Sequence, residues 1–198
     1  MMDHALDVYL VRHGPTHQSA MIGWSDVPVD LSDTAQIAAT RALLPATGYM
    51  VSSDLQRAVR TADALGEDFQ RARHDTDLRE FNFGQWDGKA FDTIEAESPG
   101  ALKTYFENPG EARAPMGESW NDVEERTWAA MHRHAQNAGT QSLILVAHMG
   151  VILCLLRRAS GQRAYEMMAQ KISPLSVSKL HYDGRQWHVL EMNALGSP

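Results

Sequence analysis

Short continuous runs of apolar residues alternate with segments of helical periodicity along most of the chain. Three runs have the length of buried strands and little polar alternation, at 8–11, 49–52 and 142–147. Such runs are typical of strands that helices cover on both faces. Helical periodicity and capping signals occupy the segments between or after them, at about 32–44, 54–66, 118–137 and 151–159. This order of elements favours an α/β fold with a largely parallel sheet.

Capping signals predict where two of these helices begin. Ser32 is a predicted N-cap for the first helix. Ser53 and Gln56 have the spacing of a capping box, so the second helix is expected to start there.

The last part of the chain predicts an antiparallel hairpin. Two strand-like segments, 176–182 and 187–192, flank Asp183-Gly184, a dipeptide typical of a two-residue turn. The predicted fold class is therefore an α/β three-layer sandwich with a mostly parallel, mixed sheet.

The region from about 86 to 117 interrupts the alternation of strands and helices. It contains three prolines, and short helices are predicted near 91–97 and 101–106. A long, irregular segment within a compact fold is usually functional. We interpret it as a cover over a crevice in a single domain that spans 1–198, and not as a second domain.

Polar residues follow the ends of the three predicted strands. Arg12-His13-Gly14 comes directly after the first strand, and His148-Met149-Gly150 comes directly after 142–147. The strand at 49–52 leads into a predicted helix with Arg57 in its first turns. Because the carboxyl ends of parallel strands share one edge of a sheet, two arginines and two histidines are predicted to converge. Arginine can bind a phosphate or carboxylate through two hydrogen-bond donors, and a neutral imidazole can act as a nucleophile or transfer protons.

Composition narrows the range of partners. The 198 residues carry a formal net charge of −7, which argues against a nucleic-acid partner, whereas a local cationic cluster suits a small anionic ligand. Cys154, the only cysteine, lies in an apolar helical segment and is predicted to be a core residue. No histidine spacing matches a metal motif. With no apolar leader and no segment of membrane-spanning length, we expect a cytoplasmic protein without a membrane partner.

Five segments, in order, resemble motifs of the histidine phosphatase superfamily, which includes the cofactor-dependent phosphoglycerate mutases. They are 10–14 (LVRHG), 52–62 (beginning SSDLQRA), 78–88 (LREFNFGQWDG), 117–126 (beginning GES) and 146–148 (VAH). Together they span almost the whole chain. The length and the Gly-Glu-Ser segment look closest to the α-ribazole phosphatases and related small-molecule phosphatases.

The resemblance implies a phosphatase that works through a phosphohistidine. His13 would attack phosphorus, with its other ring nitrogen held by an acceptor such as a backbone carbonyl. Arg12 and Arg57 would clamp the phosphate oxygens, and His148, protonated or donating, would add a further contact. Glu80 would protonate the leaving oxygen and later draw a proton from water. Two guanidiniums and an imidazolium would supply the positive charge, so neither a metal nor another cofactor is expected.

Further contacts to the substrate are expected at Ser19, Gly23 and Met149. Ser19 occupies a position where an asparagine often helps to hold the phosphate in this family, and serine donates one hydrogen bond with a shorter reach. Met149 replaces the small residue that often follows the second histidine, so the rim of the pocket changes. These departures bear on the substrate and leave the reacting groups intact.

Three functions fit the sequence. The favoured one is hydrolysis of a small phosphorylated metabolite, such as α-ribazole phosphate or a sugar or glycerate phosphate. A phosphoglycerate mutase-type transfer would use the same residues, but the short chain lacks the longer mutase insertions. A regulatory module would bind phosphate without turnover, and such a module has no need of Glu80. Formation of a homodimer through the edge strand of the final hairpin is left open.

Overall fold

A six-stranded mixed sheet lies at the centre of the computed structural model, which describes residues 4–197. The strands are β1 (Leu6–Arg12), β2 (Tyr49–Ser52), β3 (Gln70–Arg71), β4 (Leu143–Ala147), β5 (Val177–Tyr182) and β6 (Trp187–Ala194). Their order is β3-β2-β4-β1-β5-β6. Neighbours from β3 to β1 are parallel, whereas β5 and β6 are antiparallel to their neighbours. The predicted α/β class with a mostly parallel, mixed sheet is confirmed.

Helices connect and cover the strands. They are α1 (Thr34–Ala42), α2 (Gln56–Ala64), α3 (Phe91–Glu97), α4 (Ala101–Glu107), α5 (Trp120–Ala138), α6 (Met149–Ser160) and α7 (Ala164–Met168). Single turns of 3₁₀ helix lie at Thr76–Leu78 and Gly84–Trp86. Among residues 4–197, none of the helices combines the length and apolar character that a bilayer span requires.

The central strand β4 is apolar throughout because helices cover both faces of the sheet. In β4, Leu143 and Leu145 pack in the same hydrophobic cluster as α5 and α6. Ile144 and Val146 point to the opposite face, where they pack in a second cluster with residues of α1 and α2. Successive side chains of a strand alternate between faces, so a doubly covered strand has no polar position. This gives the three layers of the predicted sandwich.

The predicted helix caps are wrong at α1 and α2. Asp33, not Ser32, is the N-cap of α1, and its carboxylate accepts the N–H of Gln36 at 2.9 Å. At α2 the Ser53 hydroxyl accepts the N–H of Leu55 instead of capping the helix. The first N–H of α2, that of Gln56, donates to the carboxylate of Asp26 at 2.7 Å. A charged acceptor from a distant loop replaces the local hydroxyl there.

The final hairpin has a loop of four residues, 183–186, and not two. The carboxylate of Asp183 accepts the N–H groups of Arg185 and Gln186, at 2.8 and 2.9 Å. These bonds stabilise the longer turn, a use of aspartate that is common in loops.

The register of the parallel strands sets the position of the polar residues that follow them. Arg12 pairs with Ala147 across β1 and β4, and Ser52 pairs with Val146 across β2 and β4. The backbone continues the ladder for one more residue, since the N–H of His13 donates to the carbonyl of Ala147 at 3.0 Å. The residues after β1, β2 and β4 therefore leave the sheet side by side at one edge.

Candidate active site

The residues predicted to converge at this edge lie together in the structure. The side chains of His13, Arg57 and His148 are 7%, 1% and 0% exposed. The His13 and His148 ring centroids are 5.1 Å apart, and the Arg57 Nε donates to the His148 Nδ1 at 3.2 Å. Beside them is a cleft of about 230 Å³ whose lining includes Arg12, His13, Arg57, Glu80, Phe83 and Met149.

Hydrogen bonding fixes the state of the His13 ring. Its Nδ1 lies 2.7 Å from the carbonyl oxygen of Gly14, so Nδ1 carries the proton and Nε2 has a free lone pair. Burial, followed by the charge of Arg57, lowers the pKa of His13 to about 3. His13 is therefore a neutral imidazole in the range where enzymes work, and its unprotonated nitrogen is available as a nucleophile.

His148 has the opposite tautomer. Because its Nδ1 accepts from Arg57, the proton is on Nε2, and this buried N–H has no hydrogen-bond partner among residues 4–197. Burial and then the neighbouring His13 hold the pKa of His148 well below its usual value. Of the two states that the sequence left open for His148, protonated or donating, the structure favours the neutral donor in the unliganded site. Burial disfavours the charged ring more than the sequence alone indicates.

Two guanidiniums supply the positive charge. Arg57 donates from Nη1 to the carbonyl of Ser25 (2.8 Å) and from Nη2 to the carbonyl of Gly23 (2.6 Å). Together with the bond from its Nε to His148, these bonds use three of the five N–H groups of the guanidinium. Arg12 donates Nη1 to the carbonyl of Ile172, and its buried Nε has no partner among residues 4–197. Neither guanidinium forms an ion pair within that part of the chain, and burial lowers the pKa of both. A buried and a half-buried guanidinium that form no ion pair among residues 4–197 indicate a site for an anion.

Glu80 is held at the wall of the cleft by backbone donors. Its Oε1 accepts the N–H of Phe81 at 3.0 Å, and its Oε2 accepts the N–H of Gly150, in the first turn of α6, at 3.1 Å. The side chain is 8% exposed. Its charge acts on both Arg12 and Arg57, since it raises the pKa of each against the effect of burial. The carboxylate therefore faces the place where an anion would lie.

An arginine–glutamate ion pair fixes the loop that carries Glu80. Arg126 on α5 donates Nη1 to the carbonyls of Asp77 and Arg79, both at 2.8 Å, and Nη2 to that of Glu80 at 2.9 Å. Its Nε and Nη2 also donate to Glu118, at 2.7 and 2.9 Å. The sequence resemblance included this segment but gave it no role. Nothing in the spacing indicates that one guanidinium binds three carbonyls of a distant loop.

Replacing Gly150 with alanine is expected to lower kcat about tenfold to a hundredfold, since small misplacements of a reacting group have effects of this size. A Cβ at position 150 would overlap the Glu80 Oε1 and lie 2.5 Å from the Phe81 ring. The carboxylate has to move, although α6 itself tolerates alanine well. The measurement is steady-state kinetics with an alkyl phosphate.

A double mutant shows whether the loss comes from Glu80. In a background with Glu80→Gln, the Gly150→Ala change should cause little further loss, because coupled sites are not additive. Full additivity of the two effects would contradict this account of Gly150.

The additional predicted contacts fall in different places. Ser19 is exposed and lies outside the lining of the cleft, whereas its neighbours Thr16 and Gln18 line it. Gly23 lies behind Arg57, and its carbonyl orients that guanidinium. Met149 is 40% exposed at the rim, as the sequence suggested. The structure therefore brings Met149 to the cleft, keeps Gly23 as a support and leaves Ser19 outside.

Aromatic residues of the predicted cover line the site, a role that the sequence motifs did not indicate. Phe91 begins α3 and Phe106 lies on α4, and both line the cleft. Tyr105 is buried beside them. These aromatic residues are concentrated in two short amphipathic helices, and the periodicity of the sequence there could have indicated that they line the site.

The His13 ring is expected to remain neutral on acidification well below pH 6.5, the ordinary histidine value. Above pH 6.5 both folded and unfolded chains hold it neutral. Between 6.5 and about 3 only the unfolded chain binds the proton, so the folded state loses stability as the pH falls through this window. Nitrogen-15 NMR of the imidazole rings measures the protonation of His13 as the pH falls, and the His13→Ala variant identifies which signal belongs to His13. A titration midpoint near 6.5 for that signal would contradict the burial argument.

Comparison with known proteins gives matches along nearly the whole chain. The family model for the histidine phosphatase superfamily (branch 1) matches residues 8–195. "Probable phosphoglycerate mutase GpmB" of Cronobacter sakazakii is 29% identical over 188 residues, which cover 92% of this chain and 87% of that protein.

Solved structures agree in fold. The mycobacterial glucosyl-3-phosphoglycerate phosphatase superposes with a TM-score of 0.84 at 28% identity, over 96% of this chain and 100% of that one. The α-ribazole phosphatase of Shigella flexneri has a TM-score of 0.83 over 98% and 100% of the two chains. Its identity is 21%, so that likeness concerns the fold alone.

Proposed function

Because the chain belongs to the histidine phosphatase superfamily, we propose that it hydrolyses a small phosphorylated metabolite through a phosphohistidine. One observation carries the proposal: His13, neutral and with a free Nε2, lies beside the buried guanidinium of Arg57 and the half-buried one of Arg12, neither of which forms an ion pair among the described residues. A phosphate group would supply the missing negative charge. We place the enzyme in the cytoplasm, where phosphorylated metabolites are made and where the unpaired thiol of Cys154 stays reduced.

The arrangement supports a two-step displacement. The Nε2 of His13 attacks phosphorus, and the ester oxygen leaves with a proton from Glu80. Free N–H groups of Arg12, Arg57 and His148 donate to the nonbridging oxygens as their charge redistributes. Water then attacks the phosphohistidine while Glu80 takes a proton from that water. Inorganic phosphate leaves, and both side chains return to their starting states.

Phosphoryl transfer to a second hydroxyl of the substrate is the second candidate, since a relative is named as a mutase. A phosphoglycerate substrate also brings a carboxylate that the enzyme has to bind. Among the described residues that line the cleft, Arg12 and Arg57 are the only arginine or lysine side chains. Both are assigned to the phosphate, so the geometry favours hydrolysis.

Product analysis tests the proposal. The enzyme is incubated with an aryl phosphate, 3-phosphoglycerate, a fructose bisphosphate and α-ribazole phosphate, with and without a chelator. We expect release of inorganic phosphate from at least one ester, unchanged by the chelator. Phosphorus-31 NMR that shows 2-phosphoglycerate without free phosphate would favour the mutase. Binding of phosphate without turnover of any ester would favour the regulatory module.

A further inference from the structure

A second cavity of about 160 Å³ opens beside the cleft. The two share Glu80, Phe83, Phe106 and Met149 in their walls, so they adjoin each other at these residues. We call the second cavity the apolar pocket. Glu80 lines both spaces, whereas His13, Arg12 and Arg57 line the cleft and do not line the apolar pocket.

The walls of the apolar pocket are almost entirely carbon. They include Phe81, Phe83, Tyr105, Phe106, Trp120 and Leu153. Among residues 4–197, no arginine or lysine lines it, and Glu80 is its only charged group. The Tyr105 hydroxyl is buried away from solvent, and the Trp120 Nε1 donates to Glu124 at 3.0 Å. An occupant therefore meets ring faces and aliphatic carbon.

This chemistry selects against a second anionic group on the substrate. A carboxylate or second phosphate in the pocket would lose its hydration without gaining a cation. An apolar group gains by leaving water, and an apolar cavity of about 150 Å³ is large enough to hold a benzene ring. Phe81, Trp120 and Leu153 are each less than 5% exposed, so this space exists without rearrangement of the core.

We propose that the apolar pocket holds the alcohol part of the substrate, and that this part is an uncharged apolar group about the size of one aromatic ring. The inference rests on the proposed function, since it assigns the phosphate to the cleft. With the phosphate between Arg12 and Arg57 and the alcohol in the pocket, the ester oxygen lies at the junction. Glu80 stands there, in the position that protonation of a leaving alcohol requires.

Two esters with nearly the same leaving group test the pocket directly. 2-Phenylethyl phosphate and ethyl phosphate both release a primary alcohol, so the chemistry is matched and only the apolar group differs. We expect kcat/KM to be about tenfold to a hundredfold higher for 2-phenylethyl phosphate, the effect of burying one ring. 3-Phosphoglycerate should be a poorer substrate than either ester.

A pair of variants on α7 locates the effect. Met168 is half-buried and lines the pocket, whereas Tyr165 on the same helix is 57% exposed and does not. Met168→Glu is expected to reduce the preference for 2-phenylethyl over ethyl phosphate at least about tenfold, because a carboxylate there disfavours the ring. Tyr165→Glu adds the same charge and should leave the preference unchanged. Thermal unfolding of both variants confirms that the helix is intact.

The outcomes separate this inference from the proposed function. Equal kcat/KM for the two alkyl esters, or a preference for 3-phosphoglycerate, would overturn the apolar assignment while the enzyme remained a phosphatase. A preference that Met168→Glu and Tyr165→Glu reduce equally would also overturn it. No phosphate release from any ester, with wild type and His13→Ala indistinguishable, would overturn the proposed function and this inference with it.

Discussion

Replacing His13 with alanine is expected to lower phosphate release by about 10⁴- to 10⁶-fold, the range seen when an enzyme loses its nucleophile. His13 is the buried group in the cleft with a free, unprotonated nitrogen, since Nδ1 is bound to the Gly14 carbonyl and the pKa is about 3. Arg12 and Arg57 would still bind phosphate in the variant. Substrate binding should therefore survive while the covalent step is lost.

Two measurements check this prediction. Rapid quenching into alkali with a phosphorus-32-labelled ester should trap a labelled protein in the wild type and none in His13→Ala. His188→Ala on β6 is a matched control, because that ring is partly exposed and its hydrogen bond among residues 4–197 is to Asp183 in the final hairpin. Labelled protein in the His13→Ala variant, or turnover within tenfold of wild type, would exclude His13 as the nucleophile.

The sequence predicted the sheet and the convergence of polar residues because both depend on local patterns. Doubly covered strands are apolar throughout, as in β4, and the residue types change abruptly where such strands end. The order β2-β4-β1 then brings the residues after these strands to one edge. Parallel pairing and short connections leave few alternatives once the strands are known.

Contacts between distant segments account for what the sequence did not predict. Asp26 replaces the local cap of α2 across 30 positions, and Arg126 binds the loop of Glu80 from another helix. Neither contact follows from propensity or spacing, since each depends on how the elements pack. The sequence also left the charge state of His148 open for this reason. The burial of the ring determines this charge state, and the burial depends on how α6 packs against the sheet.

Replacing Glu80 with glutamine is expected to lower the rate of hydrolysis of alkyl phosphates by about 10²- to 10⁴-fold, the usual contribution of a positioned acid or base. The hydrolysis of aryl phosphates with good leaving groups should be slowed much less, because a stable phenolate leaves without a proton. Glutamine has the same shape and can still accept one of the two N–H groups that hold Glu80, from Phe81 and Gly150. The change therefore removes the proton and keeps most of the packing.

A leaving-group series separates proton transfer from positioning. For wild type, the rate of the first step should depend weakly on the pKa of the leaving alcohol, since Glu80 neutralises the developing charge on the oxygen. In Glu80→Gln the dependence should become steep. Glu191→Gln, an exposed position on β6, is the matched control and should leave the series unchanged. If Glu80→Gln slowed alkyl and activated aryl esters equally, the carboxylate would be a positioning group only, because a lost proton affects only those leaving groups that need one.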